Sequence, residues 1–332
     1  MTASPAGQTA HNPAIDVAKG VGIVLVVIGH TWRGLETSGL IGNATLYRVI
    51  DALIYNFHMP LFFVLSGMTF EKWALRRDWG VGLGSRVARL LWPLVAWTYI
   101  FAAVRSAIGQ TADPQAGMLA DLAFWPLPPQ DHFWFLWALF LQHILVFALI
   151  RAVGRPIDHR IWLTLAAAAV VISSTGLTPL NAYTYGATVY LAAFLTGLWL
   201  AARGLPHVGM AGFAVAAALF AGLEAASFVL PPSLAGFAIL GITIALCALA
   251  MIAALCHGAP AAPLRMLGLL GKASMGIFLT HTMFSFATRA ALAQITDATV
   301  PHLLAGTMAG ILGPLVIYQI IHRVGRPAWI GF

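Results

Sequence analysis

Apolar residues along the chain fall into blocks of roughly twenty, separated by short polar gaps, the length of helix needed to cross a bilayer core. Such windows run over 16–35, 47–70, 88–108, 132–152, 160–175, 184–202, 208–229, 234–256, 272–292 and 303–322. The pattern predicts an all-α, polytopic integral membrane protein with about ten transmembrane helices. With the N-terminus in the cytoplasm, 14 of the 18 lysines and arginines face inward, and only Arg33, Arg48, Arg105 and Arg289 face outward. The positive-inside bias therefore predicts that both termini are cytoplasmic. Residues 1–13 form a short polar tail without the basic start of a cleavable signal, so the first span is expected to be retained. No internal repeat is visible, which makes 1–332 a single membrane-embedded domain, its chemistry inside the bundle or at its rims.

Composition agrees: 60% of residues are hydrophobic and 9% charged, against roughly 25% charged in soluble domains. The net charge of +7 is largely explained by topology, so basicity does not point to nucleic acid. Cys247 and Cys256 lie nine residues apart on one predicted helix, on opposite faces, and are read as small buried hydrophobes. The outer connection 109–131 is rich in proline and aspartate, with Met118 to Trp125 expected to lie as a short helix at the interface.

Within this frame the first span carries unusual groups. Asp16, Lys19, Ile23, Val27 and His30 share one helical face, because the fourteen steps from Asp16 to His30 fall about 40° short of four turns. The carboxylate and imidazole are then roughly 21 Å apart along the axis, one near a membrane surface and the other well inside. Ionisable groups at such depth usually line a cavity or pathway. The second span, Tyr55-Asn56-Phe57-His58-Met59-Pro60, should kink near His58, because Pro60 lacks an N–H and clashes with the Asn56 carbonyl. A packed proline bend with His58 bonded to a neighbour is the alternative.

Arg86 and Arg89 stand at i, i+3 at the inner mouth of the third span, where guanidinium forks suit a pyrophosphate or 3′-phosphate. Taken alone, the pair reads more simply as a topology anchor touching lipid phosphates. His132 opens the fourth span amid Phe133, Trp134, Phe135 and Trp137, which reads as an interfacial aromatic belt. One of the adjacent Gln142 and His143 is expected to bond between helices. Ser274 and His281, seven apart, share a face, with the histidine roughly 13 Å inside the basic rim at Lys272. Glu224 and Asp51, near outer ends of spans, are expected to snorkel to water. Gly80-Val81-Gly82-Leu83-Gly84 lacks Rossmann context and reads as a loop, and no Gly-x-Ser-x-Gly elbow, Walker loop or metal motif is present.

With these residues on the page, the chain resembles the membrane-bound acyltransferase family 3, in particular its sugar O-acetyltransferase branch that includes fucose 4-O-acetylases. The first span is similar to the family's Asp-x-x-Arg-Gly opening followed by a helix ending in His. Residues 57–67 match its Phe-His-Met-Pro-Leu-Phe-Phe-x-x-Ser-Gly signature, Arg86 and Arg89 its Arg-x-x-Arg pair, and 271–281 its Ser-x-x-Ile-Tyr-Leu-x-His segment. Lys19 stands where the family usually has Arg, which keeps the charge and loses the fork, and Phe278 where it has Tyr.

The resemblance implies transfer of an acyl group, usually acetyl, from cytoplasmic acetyl-CoA or another acyl-CoA to a hydroxyl of a carbohydrate or glycolipid. No metal and no nucleic acid enter, and the setting is the plasma membrane, in bacteria the inner one. It makes His30 the general base or, alternatively, a transient acyl carrier. Arg86 and Arg89 would grip the CoA phosphates, Asp16 and Lys19 would shape that mouth, and Ser66 would help hold the donor. His58, His281, Ser274 and Asn56 would position the acceptor or polarise the carbonyl. The acceptor sugar and any homo-oligomer stay open. A glycoconjugate or lipid transporter without acyl transfer is the rival from another class, and a heme or quinone protein with axial histidines is a third reading.

Overall fold

A computed structural model describes residues 12–107, 127–129, 131–175, 181–230, 233–257 and 261–325. The expected interfacial helix at Met118 to Trp125, and most of the N-terminal tail, lie outside the described residues. No strand occurs among the described residues. Helix α1 spans Pro13–Thr37, α2 Ala44–Tyr55, α3 His58–Leu75 and α4 Trp79–Arg86. A π-helical segment, Val87–Leu91, leads into α5, Trp92–Ala107, and a 3-10 turn, Asp131–Phe133, leads into α6, Trp134–Val153. Then follow α7 His159–Ser174, α8 Tyr185–Val189, α9 Leu191–Arg203, α10 Met210–Ser227 and α11 Leu234–Leu255. Helices α12, Ala262–Lys272, α13, Ser274–Leu292, and α14, Thr299–Val324, complete the order.

Helix ends follow local chemistry. Asn12 caps α1 by accepting from the Ala14 N–H with Pro13 in the first turn, and Asn43 caps α2 by accepting from Thr45 and Leu46. Gly154 and Gly325 close α6 and α14 at φ 69° and 77°, a left-handed conformation that costs glycine little.

Among the described residues eight stretches are long and apolar enough to span a membrane, and a ninth arises if α12 and α13, bent by 83°, count as one span. The window predicted at 160–175 is α7, an apolar helix of 16 residues, about 24 Å long and short of the hydrocarbon thickness. The second span differs from a simple kink. Its helix breaks at Asn56 and Phe57, and Pro60 sits in the first turn of α3, where its missing N–H costs nothing.

Helix α1 runs through the middle of the bundle, touching α2, α3, α11, α12, α13 and α14, whereas α10 and α14 turn most of their surface outward. In lipid, helices associate through close packing at small residues. A Cβ on Gly20 would collide with the Leu267 carbonyl and one on Gly271 with the Asp16 carbonyl, so α1 and α12 meet backbone to backbone. Gly67 and Gly197 do the same for α3 and α9. Glu71, buried near the end of α3, accepts from the Ile157 N–H at 2.9 Å and ties the α6–α7 connection to the bundle.

Candidate active site

The glycine contacts between α1 and α12 set the start of α1 against the basic rim. Asp16 is buried there, and Lys19, one turn on, lines a cavity of about 320 Å³, within the range of small-ligand sites. The π turn after α4 widens the helix, and both Arg86 and Arg89 line the same cavity; such turns recur at functional sites. Arg86 lays its guanidinium over the Trp73 ring at 3.8 Å, and its Nε is buried without a hydrogen-bond partner. A held guanidinium with an unspent donor suits an anionic ligand.

Further in, the walls carry Ser66, Thr69, His143 and Ser274 among apolar side chains. Ser66 Oγ and His143 Nε2 share a hydrogen bond of 2.9 Å that links α3 to α6. The next residue along, Gln142, donates to the Ala187 carbonyl at 2.9 Å, so both members of the pair bond between elements rather than one. Phe62, Phe135 and Phe278 narrow the inner end, with ring centroids 5.9 Å apart for Phe62 and Phe135 and 5.4 Å for Phe135 and Phe278.

Beyond Phe278 stands a group of histidines. His30 and His281 have ring centroids 5.1 Å apart, His132 lies 5.1 Å from His281 and 5.7 Å from His30, and Phe278 is 5.0 Å from His132. His132 and His281 are buried. His281 Nδ1 faces the carbonyls of Ile277 and Phe278 at 3.0 and 2.8 Å. Carbonyls only accept, so Nδ1 carries the proton and the neutral ring offers a lone pair on Nε2, which is buried without a partner. His58 repeats this arrangement, with Nδ1–H donating to the Ile54 carbonyl at 2.6 Å and a buried, unpartnered Nε2. While neutral, both rings therefore spend their one N–H on a backbone carbonyl and present an accepting Nε2 to the site.

His58 reaches the group through Tyr55, whose ring is 4.6 Å from His58 and 6.4 Å from His30. The Arg33 guanidinium covers Tyr55 at 3.2 Å and pairs bidentately with Asp51 at 2.6 and 2.9 Å.

Of the residues singled out from sequence, Lys19, Ser66, Arg86, Arg89 and Ser274 line one cavity, and His30 and His281 meet just past its inner end. Asp16 and Asn56 do not line it. Asn56 sits at the α2–α3 break and donates to Glu224 Oε2 at 2.9 Å and to Ser227 Oγ at 3.0 Å. That corrects the expectation for Glu224, which is buried against α2 and α3 rather than reaching water. The fork from Arg33 keeps Asp51 at the surface layer, partly exposed. Sequence reasoning missed His132 and Tyr55. His132 was read as part of an aromatic belt, and the single hint was that it is the one titratable ring in that run. Among the described residues no group of three or more His, Cys, Asp or Glu side chains is arranged to hold a metal ion.

The chain is 33% identical over 184 residues to the nodulation protein NolL of Mesorhizobium japonicum, covering 54% of this chain and 47% of that one. It is 31% identical over 186 residues to the nodulation protein NolL of Sinorhizobium fredii, covering 54% and 48%. The chain thus aligns with about half the length of these curated relatives. No solved structure matches. The model of the acyltransferase 3 family, described as an acyltransferase domain, matches residues 12–319. A cavity with a basic mouth and histidines at its inner end thus lies in a chain that belongs to the acyltransferase 3 family.

Proposed function

We propose that the chain is an O-acyltransferase of the plasma membrane that moves a short acyl group, in the first instance acetyl, from cytoplasmic acyl-CoA to a carbohydrate hydroxyl. One observation carries the reading: a single cavity starts at Lys19, Arg86 and Arg89 and ends at Phe135 and Phe278, directly before His30 and His281. Lys19 and His30 are eleven positions apart on α1, about 16 Å along the helix, a span suited to an extended pantetheine arm. The arginines and Lys19 hold the phosphates, and the arm lies along Ser66, Thr69 and Ser274 with its thioester at the aromatic end.

In the reaction the acceptor oxygen attacks the thioester carbonyl carbon while His30 takes the hydroxyl proton. The carbon–sulfur bond then breaks, the ester is left on the sugar, and the departing thiolate takes the proton from His30 to give free CoA. The Nε2 lone pairs of His281 and His58 make them partners for the hydroxyl and for protonated His30. The resemblance to sugar O-acetyltransferases supports the acceptor class, and the excess of lysine and arginine in alternate connections supports cytoplasmic entry of the donor.

The test is release of CoA thiol from acetyl-CoA by detergent-purified protein supplied with a panel of cell-envelope glycans. Glycan-dependent release in the wild type, lost in His30→Ala and accompanied by weaker acetyl-CoA binding in Arg86→Ala/Arg89→Ala, is expected. A protein that neither releases thiol nor binds acetyl-CoA would turn the reading towards glycoconjugate transport, which reconstitution into vesicles measures directly.

A further inference from the structure

We infer that His132 is a positioning residue of this transfer, completing a three-imidazole group that holds His30 in one orientation and shares the proton that His30 takes up. The inference rests on the acyltransferase reading above and adds a residue to it.

Three features of the backbone and its surroundings converge on His132. Its ring closes a near-equilateral triangle with His30 and His281, with sides of 5.1, 5.1 and 5.7 Å. The turn that delivers it is strained: Asp131, immediately before it, has φ 49°, the left-handed region that non-glycine residues rarely adopt. Such conformations persist where the surrounding structure demands them, and they cluster at functional sites. The ring is 3% exposed and is boxed by Phe101, Phe133 and Phe278 at 5.8, 4.2 and 5.0 Å. A site that only needed filling there would accept another phenyl ring.

The proton inventory says what an imidazole adds. A neutral imidazole has one N–H and one lone pair, whereas the imidazolium formed when His30 takes the hydroxyl proton has two N–H groups. Both need partners, and the His132 and His281 rings beside His30 are buried. His281 supplies one, because its Nδ1 proton is committed to the Ile277 and Phe278 carbonyls and its lone pair is on Nε2. His132, on the third side of the triangle, brings the second imidazole in ring contact with His30, at 5.7 Å between centroids. No atom is gained or lost: the hydroxyl proton passes to His30, is shared within the group, and leaves with the CoA thiol. Orienting a base through a third group is the logic of catalytic triads in general.

The discriminating variant is His132→Phe, which conserves shape among three phenyl rings. The expected result is a folded protein whose Kd for acetyl-CoA and KM for glycan stay within about twofold, while kcat falls by about 100-fold, the lower end of what proton handling contributes. His132→Ala should be similarly slow and regain activity on addition of free imidazole, a rescue that a packing role does not produce. Wild-type turnover together with a His132→Phe kcat within threefold of it would overturn this inference and leave the transferase reading standing. Should His132→Phe fail to fold, the imidazole response of His132→Ala decides, and its absence counts against the inference. A wild type without turnover removes both.

Discussion

At one end of the cavity Lys19, Arg86 and Arg89 face a mouth open to solvent, whereas at the other His30, His132 and His281 stand among the rings of Tyr55, Phe101 and Phe278. The first arrangement keeps permanent charges near water on long, adaptable side chains of the kind that suit an anion. The second puts short, stiff imidazoles where few waters compete, so that orientation is set by carbonyls and neighbouring rings. In the proposed reading binding and chemistry are separated by about 16 Å along α1, and the difference should appear as two classes of variant.

The largest effect is expected from His30→Ala, which should lower kcat by about 10²- to 10⁴-fold, the usual contribution of a general base, with acetyl-CoA affinity within twofold. Calorimetric binding alongside thiol release checks both halves, and a large loss of affinity would erase the proposed separation. Arg86→Ala and Arg89→Ala should each weaken acetyl-CoA binding by about 10- to 100-fold, from the roughly 1.5–3 kcal/mol of a hydrogen bond to a charged group. The same variants should bind a CoA analogue lacking the 3′-phosphate with a smaller loss. Equal losses for both ligands would mean that the guanidiniums grip something else.

Gly20→Ala attacks the scaffold common to both ends. Its Cβ would meet the Leu267 carbonyl, and the overpacking should cost about 1–3 kcal/mol, read as a lower melting temperature in detergent. Unchanged melting would mean that α1 and α12 can part without cost. The smallest effect belongs to Asp51→Asn. Its partner Arg33 is 43% exposed, and such pairs contribute about 0–1 kcal/mol, so turnover should stay near the wild-type value. A strong loss would extend the working site outward through Arg33 and Tyr55.

Much of the basic end was legible from sequence. Asp16, Lys19 and His30 repeat at helical spacing on one strongly apolar span, and Arg86 and Arg89 stand one turn apart, so local periodicity alone put Lys19, Arg86 and Arg89 on elements that line one cavity. The histidine end was legible only in part. His30 and His281 stood out because apolar helices rarely carry such groups. His132 did not, because it precedes its helix in a 3-10 turn, where no period says which way a side chain faces. Glu224 was misjudged for a related reason: depth along a helix is readable from sequence, whereas the neighbour that buries a carboxylate, here Asn56 at the α2–α3 break, is not.

The sequence by itself determined that this is an all-helical membrane protein and which of its apolar stretches carry polar groups. These follow from the price of bare backbone and charge in hydrocarbon, a local constraint written into each window. Only the tertiary structure decided that α1, α5, α6 and α13 converge, so that three imidazoles from distant segments stand within 6 Å of one another. That meeting depends on glycine contacts, a helix break and a strained turn, and on packing between elements that carries no period along the chain.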